Sequence, residues 1–151
     1  MSDLKNRLNE EMKAAMKSGD ALKLSVIRML RSAIKNKEID RGKGSELSDV
    51  EVTEVIVSAV KQRNDSIEQF SIGKRDDLVA KEKNEIGILQ SFLPMPYTEE
   101  EVKALILKAI SETGAVGTKD MGKVMKFLMP QILGRTDSAA ASKMVKERLA
   151  S

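Results

Sequence analysis

Apolar residues recur every three or four positions along most of this chain, which is the period of an α-helix buried on one side. After a potential helix cap at Ser2, the first segment spaces Leu4, Leu8, Met12 and Met16 four residues apart. Alternation with a period of two, which is typical of strands, is scarce. The pattern predicts an all-α protein with an antiparallel helical N-terminal part and a small C-terminal three-helix bundle.

Capping residues and helix breakers divide the pattern into seven helices. Ser48 with Glu51, and Thr98 with Glu101, have the spacing of a capping box, in which the hydroxyl and the glutamate satisfy each other's backbone amides. The predicted helices run from the N-terminus to Ser18, from Asp20 towards Asp40, from Ser48 to Gly73, from about Asp76 to Phe92, from Thr98 to Gly114, from Thr118 to about Leu133, and from Asp137 to about Ala150.

The best domain boundary is the tetrapeptide Leu93-Pro94-Met95-Pro96. Each proline lacks an amide donor and biases the residue before it away from the helical conformation. The sequence therefore predicts a four-helix N-terminal domain over residues 1–95 and a three-helix bundle over residues 96–151.

The composition narrows the chemistry. Aromatic residues make up only 3% of the 151 residues, so the core must consist of Leu, Ile, Val, Met and Ala. Cysteine and histidine are both absent, which weighs against thiolate chemistry, most transition-metal sites and histidine general bases. We therefore expect no metal and no cofactor. No apolar run approaches the roughly 20 residues of a membrane span, and no apolar signal core occurs, so we expect a cytoplasmic protein without a membrane partner.

Positive charge is concentrated at the C-terminal end. Residues 117–151 hold seven Lys and Arg against three Asp and Glu, whereas the whole chain has a net charge of only +3. Because few aromatic residues exist for base stacking, any nucleic-acid contact should be made to phosphates.

The stretch MGKVMKFLMPQILGRTD separates into two faces when it is placed on a helix. Its apolar side, including the methionines, is better explained by core packing than by a methionine-lined groove. The other side is polar and consists of Lys119, Gly122, Lys123, Lys126 and Pro130.

Two residues of this stretch leave alternatives open. Gly122 is explained equally well by close helix packing, by no specific role, or by a gap between lysines that a sugar-phosphate backbone could approach. Gly134 and Asp137 fit a helix stop followed by a helix cap. Arg135, between them, is either a solvated side chain or part of an anion site with the neighbouring helix amides.

The middle of the chain offers a second group of charged residues. Lys61 and Arg63 lie on the predicted third helix, and Arg75, Glu82 and Glu85 lie at and after the start of the fourth. The two glutamates, one turn apart, could share a hard cation or act as an acid and base. A solvated or ion-paired helix face is the simpler explanation.

The combination of KQRNDSIEQF, RDDLVAKEKNEIGILQSFLP and MGKVMKFLMPQILGRTD resembles the YqeY family, whose members are related to the helical tail of the B subunit of the bacterial aspartyl/glutamyl-tRNA amidotransferase. The resemblance extends from about the second helix to the end. After Asp137 the chain has Ser138 and three alanines, where the family commonly shows a glycine and a lysine. The positions that match the family pattern are Lys61, Arg63, Phe70, Arg75, Leu78, Glu82, Glu85, Leu93, Pro94, Gly122, Lys123, Val124, Met125, Gly134, Arg135 and Asp137.

The resemblance implies a tRNA-binding accessory module, with tRNA and an amidotransferase or aminoacyl-tRNA synthetase as partners. The family is associated with carbon-nitrogen ligase activity that uses glutamine as amide donor. Because no amidase nucleophile or ATP-binding motif is recognisable, whether the chain is itself an enzyme stays open, and we name no catalytic residue. The alternative is a helical protein-protein interaction module without direct nucleic-acid contact.

Overall fold

The computed structural model describes residues 3–150, which form seven α-helices and one short 3-10 helix without any strand, so the all-α prediction is confirmed. None of the helices in this range is long and apolar enough to cross a membrane. The helices are α1 (Asp3–Ser18), α2 (Ala21–Arg41), α3 (Asp49–Ile72), α4 (Asp76–Gln90), α5 (Glu99–Thr113), the 3-10 helix (Thr118–Asp120), α6 (Met121–Ile132) and α7 (Ser138–Ala150).

Residue contacts divide the chain into two compact units between Leu93 and Pro94. In the N-terminal unit α3 packs on α4 and α1 packs on α2, and all four helices contribute to one core, which is aliphatic apart from Phe92, a residue type that the composition did not predict there. Its buried residues are Leu8, Val26, Ile27, Leu30, Ile34, Leu47, Val52, Val55, Ile56, Ala59, Leu89 and Phe92.

The C-terminal unit has a separate core, in which α6 packs against both α5 and α7. Each of the three helices buries residues three, four or seven positions apart, as an amphipathic helix must. The buried residues are Val102, Ile106, Ala109, Val124, Leu128, Ile132, Ala141, Val145 and Leu149.

The predicted caps at Asp20, Ser48 and Thr98 begin their helices where the sequence places them. Both capping boxes form: the Glu51 amide donates to Ser48 Oγ at 3.3 Å, and the Glu101 amide donates to Thr98 Oγ1 at 3.1 Å. Asp20 caps α2 by accepting from the Lys23 amide at 3.1 Å. The potential cap at Ser2 lies outside the described residues.

Two details of the sequence prediction for the N-terminal unit are wrong. Helix α4 ends at Gln90, and Phe92 is buried beyond it rather than within it. Met16 is 57% exposed, while Ala15 is buried. A four-residue spacing drifts around the helix by about 40° per step, so three steps from Leu4 carry Met16 off the buried face.

A single buried carboxylate joins three segments of the N-terminal unit. Glu38, near the end of α2, accepts a hydrogen bond from Lys5 Nζ of α1 at 2.7 Å and from the Leu47 amide, just before α3, at 2.9 Å. Among residues 3–150, Glu38 is the only charged residue that is buried, with 8% of its surface exposed. The Lys5 hydrogen bond, followed by the Leu47 amide, holds the pKa of Glu38 below its ordinary value.

Replacing Glu38 with glutamine should lower the free energy of unfolding by about 1–3 kcal/mol near neutral pH, because a charge-assisted hydrogen bond is lost inside the fold. Since the folded-state pKa is lowered, this stabilisation is present above the unfolded-state pKa of about 4.3 and is lost as the pH falls through the folded-state value. Urea unfolding, followed by circular dichroism at several pH values, measures both effects.

The matched control is Glu10→Gln. Glu10 is an exposed α1 glutamate 3.7 Å from Lys13, and such surface pairs contribute about 0–1 kcal/mol. Equal losses in the two variants would show that Glu38 has no special structural role.

Candidate functional site

The polar face of α6 and the preceding 3-10 helix is exposed, as the sequence predicts. Lys119, Gly122, Lys123 and Lys126 are all exposed, as is Pro130 further along the helix. The opposite face carries Val124, Leu128 and Ile132, which are fully buried. The methionines at 121, 125 and 129 are partly buried and pack against this core, so their assignment to packing is confirmed.

The three lysines of this face form no direct polar contact within the described residues, although Asp120 interacts electrostatically with Lys119 and Lys123. Within residues 3–150 no group forms a hydrogen bond or ion pair with the ammonium of Lys119, Lys123 or Lys126. Their positive charge therefore remains free to attract an anion. We call Lys119, Gly122, Lys123 and Lys126 the lysine face.

The beginning of α6 differs from the sequence prediction. Thr118 does not cap a long helix; it begins the 3-10 helix, and α6 starts at Met121 without a side-chain cap. The reason is Asp120, whose Oδ2 accepts from the Val116 amide at 3.0 Å and so folds the preceding loop back onto the 3-10 turn.

Asp120 also tempers the charge of the lysine face. The Val116 hydrogen bond, with smaller contributions from Lys123 and Lys119, holds the pKa of Asp120 below its ordinary value. The carboxylate is thus ionised next to two of the three lysines. Sequence reasoning passed over Asp120, although its position beside Lys119 and three residues before Lys123 indicated the contact.

Gly122 lies in the first turn of α6 with open space beside it. A Cβ built at this position would meet no atom within 4 Å outside its own local helix. Close packing against a neighbouring helix, one of the three explanations considered for this glycine, is therefore excluded. What remains is either no specific role or an open backbone that a ligand could approach.

Arg135 holds the segment that precedes α5. Its Nε donates to the Met95 carbonyl at 2.8 Å, and its Nη1 donates to Tyr97 Oη at 3.0 Å. The guanidinium carbon lies 3.7 Å from the Tyr97 ring centroid, and the Tyr97 amide donates to the Arg135 carbonyl at 2.9 Å. Arg135 is therefore half-buried and structurally engaged, in contrast to the three lysines. Its assignment to an anion site stays a prediction.

The turn around Arg135 has the predicted geometry. Gly134 has a φ of +76°, the left-handed conformation that favours glycine, and Asp137 Oδ1 accepts from the Ala139 amide at 3.1 Å to cap α7. These two residues fix the backbone that carries Arg135 towards Tyr97.

Arg63 and Glu85, from the second group of candidates, form a nearly buried ion pair. Arg63 Nε donates to Glu85 Oε2 at 3.0 Å, and the two side chains are 11% and 13% exposed. Two other donors of the same guanidinium reach the Ala59 carbonyl at 3.1 Å and the Met29 sulfur at 2.8 Å. The pair thus connects α2, α3 and α4 and leaves little capacity for a ligand.

The remaining candidates of this group are more dispersed. Lys61 is exposed on α3, and Arg75 is exposed with Asp77 as its partner at 3.4 Å. Glu82 is half-buried, but because Glu85 is bound to Arg63 the two glutamates do not form a free carboxylate pair. Within residues 3–150 no group of three or more acidic residues is arranged to hold a metal ion.

Comparison with known proteins gives a family and several relatives. The family described as "Yqey-like protein" matches residues 5–149. The protein called "Altered inheritance of mitochondria protein 41, mitochondrial" in Saccharomyces cerevisiae is 34% identical over 149 residues, covering 93% of this chain and 80% of the yeast protein. Its namesake in Candida glabrata is 42% identical over 86 residues, covering 57% of this chain and 47% of that protein. The Kluyveromyces lactis namesake is 40% identical over 108 residues, covering 70% and 57%, so the match spans about half of these last two relatives.

The names of these relatives overturn the expectation of a cytoplasmic protein, since all three are named as mitochondrial. That expectation rested on the lack of an apolar signal core. Mitochondrial targeting segments are amphipathic and rich in arginine instead, so the lack of an apolar run could not exclude this location.

Gly122→Ala should raise the free energy of unfolding by up to about 1 kcal/mol, because alanine is the better helix former and the new methyl group meets no atom. Gly114→Ala is the control: that site is equally open, but its φ of +68° disfavours any side chain, so stability should fall by about 1 kcal/mol. Urea unfolding measures both. A destabilised Gly122→Ala variant would mean that the helix end is packed more closely than described.

The Arg135 contacts predict an energetic coupling with Tyr97. Arg135→Lys should lower the free energy of unfolding by about 1–2 kcal/mol, because lysine cannot donate to both the carbonyl and the hydroxyl while stacking on the ring. Tyr97→Leu removes the ring and the hydroxyl together. In a double-mutant cycle, the loss in unfolding free energy of the double variant should be smaller than the sum of the two single-variant losses by at least about 0.5 kcal/mol. Simple additivity would contradict the contact.

Proposed function

Because this chain belongs to the Yqey-like protein family, we propose that it is a tRNA-binding accessory module connected with tRNA-dependent amidotransfer, and that it is not the catalyst on its own. The choice of tRNA as the ligand and of amidotransfer as the reaction rests on the family resemblance. The lysine face is the observation in the structure that supports this proposal most directly.

The lysine face has the properties of a phosphate-contacting surface. Three ammonium groups are exposed and form no hydrogen bond or ion pair within the described residues, one on the 3-10 helix and two on α6, and Gly122 removes side-chain bulk between Lys119 and Lys123. Lysines act as mobile point charges on phosphate oxygens, and such contacts release counterions when they form. Three lysines and one neighbouring ionised aspartate leave a local excess of positive charge. This excess favours nucleic-acid binding that depends on charge and shape.

An accessory role agrees with the residues the chain contains. Glutamine-dependent amide transfer needs an amidase nucleophile and an activation site for ATP. Neither a Ser-Ser-Lys nor a cysteine amidase apparatus is recognisable in residues 1–151, and no phosphate-binding glycine loop of the GxxxxGK[ST] type is recognisable. In this proposal an amidotransferase or an aminoacyl-tRNA synthetase performs the chemistry, and this chain holds the tRNA.

The salt dependence of tRNA binding tests the proposal. Fluorescence anisotropy with labelled tRNA should give a slope of log K against log salt of about −2 to −4, as expected for three to five phosphates. Replacing Lys119, Lys123 and Lys126 with glutamine should make this slope less negative by about 2 to 3, and it should weaken binding strongly at low salt. Gly122→Ala should weaken binding while increasing stability, which separates a role in binding from one in folding.

The matched control replaces Lys108, Lys143 and Lys146, three exposed lysines on α5 and α7, and changes the net charge equally. If both triple variants lose the same affinity, the attraction is general and the lysine face is not a site. Lack of tRNA binding at low salt would refute the proposal outright.

A second candidate function is a protein-interaction module. It is favoured by exposed apolar side chains in the C-terminal unit, among them Leu107 at 47% and Val116 at 81% exposure. A shallow groove of about 420 Å³ between α5 and α7, formed partly by Leu107 and Met144, lies in the same unit. A protein that co-purifies with the chain after nuclease treatment and is lost on Leu107→Ser would support this function.

A further inference from the structure

A second basic surface lies in the N-terminal unit, in a cleft of about 670 Å³ between α1 and α2. Its floor is apolar, since it includes the buried residues Leu8 and Ile34. Three cations of α2, Arg28, Arg31 and Lys35, line the cleft. The volume lies within the range of sites that hold small ligands, roughly 300–1,000 Å³.

The one acidic residue of the cleft lining is already neutralised. Glu38 accepts hydrogen bonds from Lys5 Nζ at 2.7 Å and from the Leu47 amide at 2.9 Å, so its negative charge is compensated within the fold. Lys5 offsets that carboxylate and adds little net charge to the cleft. The three α2 cations therefore leave a net positive charge of three in the cleft.

These three cations are not engaged with acidic groups. Within residues 3–150 Arg28 and Lys35 form no hydrogen bond or ion pair, although Lys35 feels the charge of Glu38 at longer range. Arg31 Nη1 donates to the Met12 sulfur at 3.0 Å, which is an uncharged and weak acceptor. This contact orients the guanidinium without compensating its charge.

The spacing places the three charges together. Residues 28, 31 and 35 are three and seven positions apart, so they share one side of α2. Two guanidinium groups one turn apart can each bind a tetrahedral oxyanion through a planar pair of N–H donors. Ser32 and Asn36, also in the lining, add neutral hydrogen-bonding groups.

We propose that the cleft between α1 and α2 is a binding site for phosphate groups, with Arg28, Arg31 and Lys35 as the contacting residues. Three uncompensated charges suit a ligand with two or more negative charges better than a single carboxylate. No aromatic residue lines the cleft, so the ligand is held by its phosphates rather than by base stacking. Such phosphates come either from a free phosphorylated small molecule or from an RNA backbone.

This site is independent of the lysine face, which belongs to the other unit. If replacing Lys119, Lys123 and Lys126 leaves tRNA binding unchanged, the lysine-face proposal fails while the cleft proposal still stands. The two are separated by assaying inorganic triphosphate as well as RNA.

The test uses the full chain and isothermal titration calorimetry with inorganic triphosphate, followed by anisotropy with a labelled RNA oligonucleotide. Arg28→Gln and Arg31→Gln should each weaken binding at least about 10-fold, since each loses charge-assisted hydrogen bonds. Lys37→Gln is the matched control, because Lys37 is an exposed α2 lysine outside the cleft lining. Circular dichroism of each variant checks that the helices are intact.

Triphosphate binding that is lost in the arginine variants and kept in Lys37→Gln supports the site with a free phosphorylated ligand. RNA binding that follows the same pattern, without measurable triphosphate binding, supports it with RNA phosphates as the source. Absence of both, or equal weakening by Lys37→Gln, overturns the proposal. If Arg31→Gln alone disturbs folding through the Met12 contact, Arg28→Gln decides, because Arg28 is exposed and has no contact to lose.

Discussion

The N-terminal unit depends on one buried carboxylate. The carboxylate of Glu38 accepts hydrogen bonds from the ammonium of Lys5, which precedes α2 in the chain, and from the amide of Leu47, which follows it. Contacts between Leu, Ile and Val side chains have little directional preference, so they do not define one relative position of the helices. A carboxylate with two specific donors does fix the register of the segments that supply those donors. The same arrangement removes the one negative charge from the cleft between α1 and α2. A structural ion pair within the cleft lining thereby leaves the positive charge of the neighbouring α2 cations uncompensated.

Near absence of aromatic residues has a related consequence. With 3% aromatic residues, both cores are assembled mainly from aliphatic side chains on amphipathic helices, and each of these helices keeps a polar face towards solvent. The polar faces are then populated by charges whose neighbours are set by helix geometry. Nearly buried pairs such as Arg63 with Glu85 become cross-links between helices, while lysines such as Lys123, which face outward, stay unpaired.

Much of the fold followed from local signals in the sequence, since helix periods and capping boxes depend on residues at most four positions apart. Ser48 with Glu51 and Thr98 with Glu101 formed as predicted. The polar face of α6 was likewise predictable from its angular spacing. Apart from the local contact of Asp120 with Val116, what escaped prediction depends on residues far apart in the chain: Glu38 meets Lys5 across 33 positions, Arg63 meets Glu85 across 22, and Arg135 meets Tyr97 across 38. No periodicity encodes such partners, and so the sequence could not tell an engaged cation from a free one.

That distinction ranks the candidate binding residues. An arginine that already stacks on a ring and donates to a carbonyl must give up those contacts, or share them, before it can bind an external phosphate. Each hydrogen bond it surrenders offsets the gain by about 0.5–1.5 kcal/mol. Arg63 and Arg135 carry this cost, whereas Lys119, Lys123, Lys126, Arg28 and Lys35 do not. Arg63 and Arg135, which match the family pattern, both have structural contacts of their own. An anion that meets the unengaged cations on α2, on the 3-10 helix and on α6 displaces no such contact, whereas one that binds Arg135 competes with the contacts that hold the segment before α5.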